Sequence, residues 1–305
     1  MSPPAPVAPA APPLPLVLLQ QLRPRQWTKN AAVLAPLLFA RSLFESGSAL
    51  RAVLAAVAFS LAASGIYVLN DWLDREKDRL HPEKRHRPIA AGRVGLGLAA
   101  LLLAGCWAGA AALCVRLGGG FAWVLGGYVA LQVLYSFWLK HQVVVDVLVI
   151  AVGFVLRVVG GAVAISVPVS NWLYLCTLLL ALFLGFAKRR AELGALAGDA
   201  EAHRANLGEY SVALLDQLIS VTAACCILAY GLYTVSPDTV RHVGSDDLKF
   251  TVPFVVHGIF RYLYLVHRRG LGGSPEKVLL SDAPMVVTVL GFVALAAGVL
   301  YGAGR

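Results

Sequence analysis

Long apolar runs, separated by short charged segments, leave this chain few solvents in which to fold. A helix that spans a bilayer needs about 20 predominantly apolar residues, within a range of roughly 17–25. Nine runs approach that length, at approximately 29–44, 50–70, 94–115, 121–139, 143–166, 171–187, 212–235, 250–267 and 284–303. The expectation is an all-α, polytopic membrane protein with about nine transmembrane helices in one bundle. The first run is the weakest, being short and carrying Pro36, and the fifth is interrupted by Gly160 and Gly161. No soluble domain fits between the runs, and they show no internal repeat. Composition agrees: 14% of the 305 residues are charged, where soluble domains run near a quarter.

The basic residues set the expected orientation, because short cytoplasmic loops collect Lys and Arg. With the N-terminus inside, 18 of the 26 Lys and Arg residues fall on the cytoplasmic side and six on the other. The net charge of +9 does not suggest nucleic acid, since the cations sit in short loops rather than on one face of a soluble scaffold. The first sixteen residues hold seven prolines and no Lys or Arg, unlike a signal peptide. Residues 1–21 are therefore expected to form a disordered, dispensable Pro/Ala-rich arm ahead of a single domain, 22–305. The five cysteines all lie in apolar stretches without metal-ligand spacing, so neither disulfides nor zinc are implied.

The chemistry concentrates after the second run. Asn70, Asp74 and Asp78 follow one another at i, i+4 and i+8, which places them on one face of a continuing helix. Asp71 lies beside them. Carboxylates so close either balance Arg75, Lys77 and Arg79 at a solvated helix end, or are joined by a cation. Oxygen ligands of this kind suit Mg²⁺, which adds substrate phosphates and water to its shell. The following segment, from His81 to Gly92, sets Lys84, Arg85 and Arg87 between Pro82 and Pro88. Cations beside a metal site are apt receivers of diphosphate charge. A positive-inside loop explains the cations alone, but it explains no acidic ladder beside them.

Other cytoplasmic edges add candidates. Arg23, Arg25, Trp27 and Lys29 precede the first run, either anchoring it or meeting substrate. After the fourth run come Tyr135, Lys140 and Asp146, where Lys140 suits a phosphate and Asp146 is either a metal ligand or a counter-ion. After the sixth come Lys188, Arg189, Arg190 and Glu192, with Tyr210 closing the same loop. Some of these reach substrate and the remainder set topology. Arg157 lies inside a run, about 16 Å beyond Asp146 along a helix. It must face the bundle interior or a wet cavity, lining a substrate cavity floor or pairing with another polar group. Arg261, near Tyr262 and Tyr264, suits a structural role. No P-loop, nucleophile elbow or dinucleotide fingerprint occurs in a suitable context, and the paired glycines read as helix-packing positions.

These residues resemble the UbiA-type prenyltransferase superfamily, whose mark is NDxxDxxxD at the end of the second span. The longer stretch N-D-W-L-D-R-E-K-D-R-L-H-P-E-K-R-H-R-P-I-A-A-G (70–92), with R-P-R-Q-W-T-K-N (23–30), Y-S-F-W-L-K (135–140) and K-R-R-A-E-L (188–193), is similar to its decaprenyl-phosphate phosphoribosyltransferase branch. The resemblance runs from Leu22 to the end of the chain. It implies transfer of a phosphoribosyl group from 5-phosphoribosyl 1-diphosphate to a polyprenyl phosphate, at the cytoplasmic face of a bacterial inner membrane, in arabinan precursor synthesis. Asn70, Asp74 and Asp78 would then hold Mg²⁺ on the donor diphosphate. Lys84, Arg85 and Arg87 would neutralise phosphate charge, and Lys29, Tyr135, Lys140, Lys188, Arg189 and Glu192 would surround the donor.

One departure separates sister activities. Prenylating members carry a second, DxxxD-type motif after the fourth span, whereas here Tyr135 to Asp146 holds one acid and a lysine. That favours a donor bringing an extra phosphate. Two rival readings stay open: prenyl transfer from an isoprenyl diphosphate to an aromatic ring, and transport of a phosphorylated solute. Transporters usually bind near the bilayer midplane between repeats, and these acids lie at the membrane edge. A homo-oligomer is compatible with all three.

Overall fold

The computed structural model describes residues 13–302, apart from 46, 83, 196–207, 274, 276, 277, 279 and 280. All regular elements among these residues are helical, as lipid demands of a backbone that must satisfy its own hydrogen bonds. They are α1 (Leu14–Leu22), a 3₁₀ segment (Pro24–Leu34), α2 (Ala35–Phe39), α3 (Ser48–Leu73), α4 (Arg75–Leu80), α5 (Leu96–Leu117), α6 (Gly119–Phe137), α7 (Val145–Ala164), α8 (Asn171–Ala195), α9 (Val212–Val235), α10 (Pro237–Val243), α11 (Val252–Arg269) and α12 (Ala283–Gly302). Short 3₁₀ turns at Lys84–His86, Leu139–His141, Asp247–Thr251 and Leu271–Gly273 fill the connections.

Among the described residues seven helices are long and apolar enough to cross a membrane: α3, α5, α6, α7, α8, α9 and α12. Two expected spans take another form. The run 29–44 becomes the end of the 3₁₀ segment followed by the five-residue α2, with Pro24 and Pro36 opening each piece. The run 250–267 becomes α11, 18 residues long, whose Arg261, Arg268 and Arg269 shorten its apolar length. Part of the expected arm, 1–21, is also helical. Residues 14–21 belong to α1, where Pro15 occupies the first turn and an apolar stretch follows. Proline is tolerated there because the first amides of a helix have no partner to lose. Val17 of α1 is buried against Val68, Ile89 and Val94. Residues 1–12 of the expected arm lie outside the described residues.

Two helices form the centre. In the apolar windows of α3 and α7, 61% of residues are buried, against 17–33% in the other five spans. Small residues make this possible, because lipid provides no hydrophobic drive between helices and close backbone approach must supply the packing. Ala52, Ala55, Ala58, Ala62 and Ala63 of α3 are buried. At Gly161 of α7 a β-carbon would stand 1.9 Å from the Val33 carbonyl oxygen, and at Gly160 it would stand 2.5 Å from the Phe59 ring. Gly161 therefore lets the 3₁₀ segment lie directly on α7, and Gly160 makes room for Phe59 of α3, as their expected packing role requires. At this same end of α7, Arg51 donates to the terminal carbonyls of two helices, Ala164 at 2.6 Å and Leu117 at 3.1 Å. A cation at a helix C-terminus meets the dipole favourably.

Candidate active site

Successive antiparallel spans bring the C-terminal ends of α3, α6, α8 and α11 to the same end of the bundle as the N-terminal ends of α5, α7 and α9. Every basic loop singled out above gathers there. At this end α3 stops at Leu73 and α4 begins at Arg75, but the hydrogen-bond register continues. Asp74 N–H donates to Asn70 O at 2.9 Å, and Asp78 N–H donates to Asp74 O at 2.8 Å. The expected ladder of Asn70, Asp74 and Asp78 survives the break.

The ladder does not balance its flanking arginines. Arg75 and Arg79 both reach Glu76, at 3.0 Å each, and their charges hold the Glu76 carboxyl below the usual range, Arg75 by hydrogen bonding foremost. Asp78 instead accepts from Arg87 Nη1 at 2.7 Å, and Asp74 Oδ2 lies 3.9 Å from Lys140 Nζ. Lys140 arrives from the 3₁₀ turn after α6, and Arg87 from the loop after α4. Lys84 lies on the 3₁₀ turn of that loop, and exposed Arg85 faces His86 at 3.3 Å.

Asp71, off the i, i+4, i+8 ladder, is the hub of this end of the bundle. It is 2% exposed and accepts from Gln21 at 2.9 Å, from Arg23 at 2.5 and 2.8 Å, and from Arg87 at 3.0 Å. A buried carboxylate is tolerated when charge-assisted hydrogen bonds replace its water. Arg23 sits in the left-handed region, φ 54°, where α1 ends and the 3₁₀ segment begins. That turn aims it at Asp71. Gln21 had no signal in the sequence, because it lay in the presumed arm and its partner is 50 residues away.

A second cluster stands at the start of α7. Asp146 is fully buried, accepting from Arg189 Nε at 2.7 Å and from Tyr210 Oη at 2.7 Å. Asp146 is thus the counter-ion of Arg189. Arg189 also donates to Glu192 at 2.6 Å, and Lys188 Nζ lies 4.0 Å from Glu192 Oε1. Tyr210 accepts from the Val144 amide at 2.6 Å, holding a valine at φ 67°, a conformation costly for a β-branched residue. Burial, then the Asp146 hydrogen bond, pushes the Tyr210 hydroxyl far above its ordinary pKa, so it stays a donor. Tyr135, on the last turn of α6, lies within electrostatic range of Arg189. The loop from Trp138 to Val144 joins this cluster to Lys140 and the ladder.

Lys29 and Arg157 occupy a deeper level. Lys29 is half-buried on the 3₁₀ segment, which α3 holds through Trp27 to Ser64 at 3.0 Å and Asn30 to Ser60 at 2.8 Å. Arg157 is 5% exposed and donates to Asn30, to the Gly153 carbonyl and to the Tyr128 hydroxyl, at 2.7, 2.9 and 2.8 Å. Its neighbours Phe154 and Val158 line a cavity of about 930 Å³. Phe39, Trp172, Tyr230, Phe254 and Phe292 contribute further walls, and none of the acidic-cluster residues reaches it. Polar chemistry and apolar volume thus lie at different depths of one bundle.

Among the described residues no three of His, Cys, Asp and Glu converge into a metal cage. The donor set still fits Mg²⁺ of one particular kind. Asn70, Asp74 and Asp78 supply an amide oxygen and two carboxylates, and Mg²⁺ commonly takes one or two protein carboxylates and completes its shell with water and substrate phosphate.

Residues 31–281 match the profile of the UbiA prenyltransferase family. The decaprenyl-phosphate phosphoribosyltransferase of Mycolicibacterium smegmatis is 36% identical, over 96% of this chain and 95% of that protein. Its counterpart in Corynebacterium glutamicum is 35% identical, over 90% and 84%. Among solved structures, a UbiA homologue from Archaeoglobus fulgidus bound to GPP and Mg²⁺ superposes with a TM-score of 0.68 at 18% identity, over 93% of this chain and 99% of that one. Profile, relatives and fold agree, and the chain is a membrane enzyme belonging to the UbiA prenyltransferase family.

Proposed function

We propose that this protein transfers the 5-phosphoribosyl group of 5-phosphoribosyl 1-diphosphate to a polyprenyl phosphate of the decaprenyl type, releasing diphosphate. Support comes from the relatives and from one observation in particular, the asymmetry of the site. On the ladder side, acids face the substrate from the α3–α4 junction, at Asp74, and from α4, at Asp78. Across from them Asp146 is engaged by Arg189 and Tyr210, and Lys140 stands where a second acidic arm would be needed. A two-sided carboxylate cage suits an isoprenyl diphosphate. One acidic side opposed by cations suits a donor with an additional phosphate.

Asn70, Asp74 and Asp78 would hold Mg²⁺, which when bound neutralises charge on the departing diphosphate. Arg87, with Lys84 and Arg85 on the same loop, takes the remaining diphosphate charge through forked and single hydrogen bonds. Lys29 and Lys188 form the cationic wall for the 5-phosphate, and Lys140, beside Asp74, stands where that wall meets the diphosphate. Arg189 and Glu192 position that wall, with Tyr135 and Tyr210 fixing its edges. The C1–oxygen bond to diphosphate breaks with its electron pair on the leaving oxygen, and an oxygen of the lipid phosphate bonds to C1. That nucleophile is already anionic at neutral pH, so no strong general base is required, and preorganised cations carry the catalysis.

The lipid tail fits the apolar cavity, which extends from Phe154 toward Trp172 and Phe292. Arg157, beneath the polar cluster and behind that cavity, holds the Lys29 segment in place. In this reading the basic end of the bundle faces the cytoplasm of a bacterial inner membrane. The testing experiment is a transfer assay in detergent with magnesium, labelled 5-phosphoribosyl diphosphate and polyprenyl phosphate. Lipid-soluble label that vanishes with Asp74→Asn is the expected result. Failure of transfer by folded protein, with prenylation of an aromatic acid from polyprenyl diphosphate, would overturn it.

A further inference from the structure

Each acid assigned to the metal already has a cation of the chain beside it. Arg87 Nη1 bridges Asp78 Oδ2 at 2.7 Å and Asp71 Oδ1 at 3.0 Å. Lys140 Nζ stands 3.9 Å from Asp74 Oδ2. Proximity along the chain does not explain these choices, because Arg75 and Arg79 flank the same acids and turn away to Glu76. Asp71 makes the selection. Gln21 and Arg23 fix it, and it grips the same Nη1 that reaches Asp78. Arg87 is therefore docked between two acids, only one of which lies on the ladder.

We propose that Arg87 and Lys140 stand in for the metal's charge, guarding Asp78 and Asp74 against a bare divalent cation and releasing them only when diphosphate arrives. The inference rests on the proposed diphosphate donor and deepens it, assigning the order in which the site fills. A charge count gives the reason. Two ladder carboxylates and two chain cations are neutral together. A divalent cation added alone leaves two positive charges in excess and strips Arg87 and Lys140 of their partners in a half-buried site, where such charges repel strongly. Diphosphate removes the excess and offers new oxygens to both side chains. Arg87 moves from Asp78 to a phosphate oxygen while Asp71 keeps its second hold, so the side chain pivots rather than detaches. Metal and diphosphate then bind cooperatively, each making room for the other.

The test uses full-length protein in detergent, Mn²⁺ as the paramagnetic probe and inorganic diphosphate as the anion, with free Mn²⁺ read by electron paramagnetic resonance. Wild type is expected to bind Mn²⁺ weakly alone and at least roughly tenfold more tightly with diphosphate, the factor set by how rarely the guarded site opens. Arg87→Gln is expected to act in opposite directions. Mn²⁺ alone binds about tenfold more tightly, because its competitor is gone, while the gain from diphosphate shrinks. Lys140→Gln, at a partly exposed position that tolerates change, moves both values the same way by less. If neither variant tightens Mn²⁺ alone while wild type still shows the diphosphate gain, the guarding role is wrong and the diphosphate site stands. If wild type shows no diphosphate gain, both readings fall.

Discussion

Arg157 Nε donates to the side-chain carbonyl of Asn30 at 2.7 Å, tying the segment that carries Lys29 to the middle of a central helix. The same guanidinium reaches Tyr128 on α6 and lies 4.7 Å from that ring's centroid. Three elements therefore share one cation, with no carboxylate within ion-pair distance among the described residues. Arg157→Met removes three hydrogen bonds and leaves Asn30 without its donor, at about 1–3 kcal/mol for a buried group so stranded. We expect thermal unfolding in detergent to shift down by several degrees. Arg157→Lys keeps the charge, lacks the planar fork and recovers part of the loss. Unfolding at the wild-type temperature for Arg157→Met would show that the contact pins nothing.

Asp146 and Arg189 make the complementary case, a buried pair whose partners lie 43 residues apart. Breaking such a pair by removing one member costs about 3–5 kcal/mol, because the other charge is left uncompensated. Asp146→Ala should therefore unfold far below wild type. Glu192→Gln, which also contacts Arg189 but at a partly exposed position, should lose about 1 kcal/mol or less. Mn²⁺ affinity in the diphosphate complex should survive Glu192→Gln. Equal stability of the two variants would remove Asp146 from its counter-ion role.

Tyr210 gives a pH signature. Its hydroxyl pKa is raised in the fold, by burial first and by the Asp146 hydrogen bond second. The contribution is fully present below the unfolded-state value of about 10 and is lost as pH climbs toward the higher folded value. Tyr210→Phe should cost about 1–2 kcal/mol, and the difference from wild type should stay constant between about pH 6 and 9. It should narrow only above about pH 10. Denaturant midpoints across that range measure it, and a difference that widened on raising the pH would contradict the assignment.

The legible parts of this molecule were those with local spacing. The ladder of Asn70, Asp74 and Asp78 is a matter of helical period, and seven spans follow from apolar length. The pairing of cations with acids was not legible, because it is set by tertiary packing that joins Arg189 to Asp146 across 43 positions and Arg23 to Asp71 across 48. Asp71 stood inside the motif, yet its role became visible only with Gln21 and Arg23 from a segment read as a loose arm. The run 29–44 misled for a related reason. Its hydropathy suits a span, but Pro24, Pro36 and the contact of Val33 with Gly161 hold it as 3₁₀ and short helix against α7.

That last contact carries its own prediction. A methyl group at Gly161 would meet the Val33 carbonyl oxygen at 1.9 Å, and a backbone atom cannot step aside as a side chain does. Gly161→Ala must push the 3₁₀ segment off α7, and with it Asn30 and Lys29. Gly160→Ala meets the Phe59 ring, which can shift at a cost of about 1–3 kcal/mol, typical of overpacking. Gly105→Ala meets nothing within 4 Å and serves as the neutral comparison on an outer helix. The expected order of unfolding temperatures is Gly105→Ala highest, then Gly160→Ala, then Gly161→Ala. In the transfer assay the donor KM should rise for Gly161→Ala, because displacement of Lys29 weakens the phosphate wall. A Gly161→Ala protein with wild-type stability and donor KM would mean that the segment is free to lift, and that Lys29 takes no part in holding the donor.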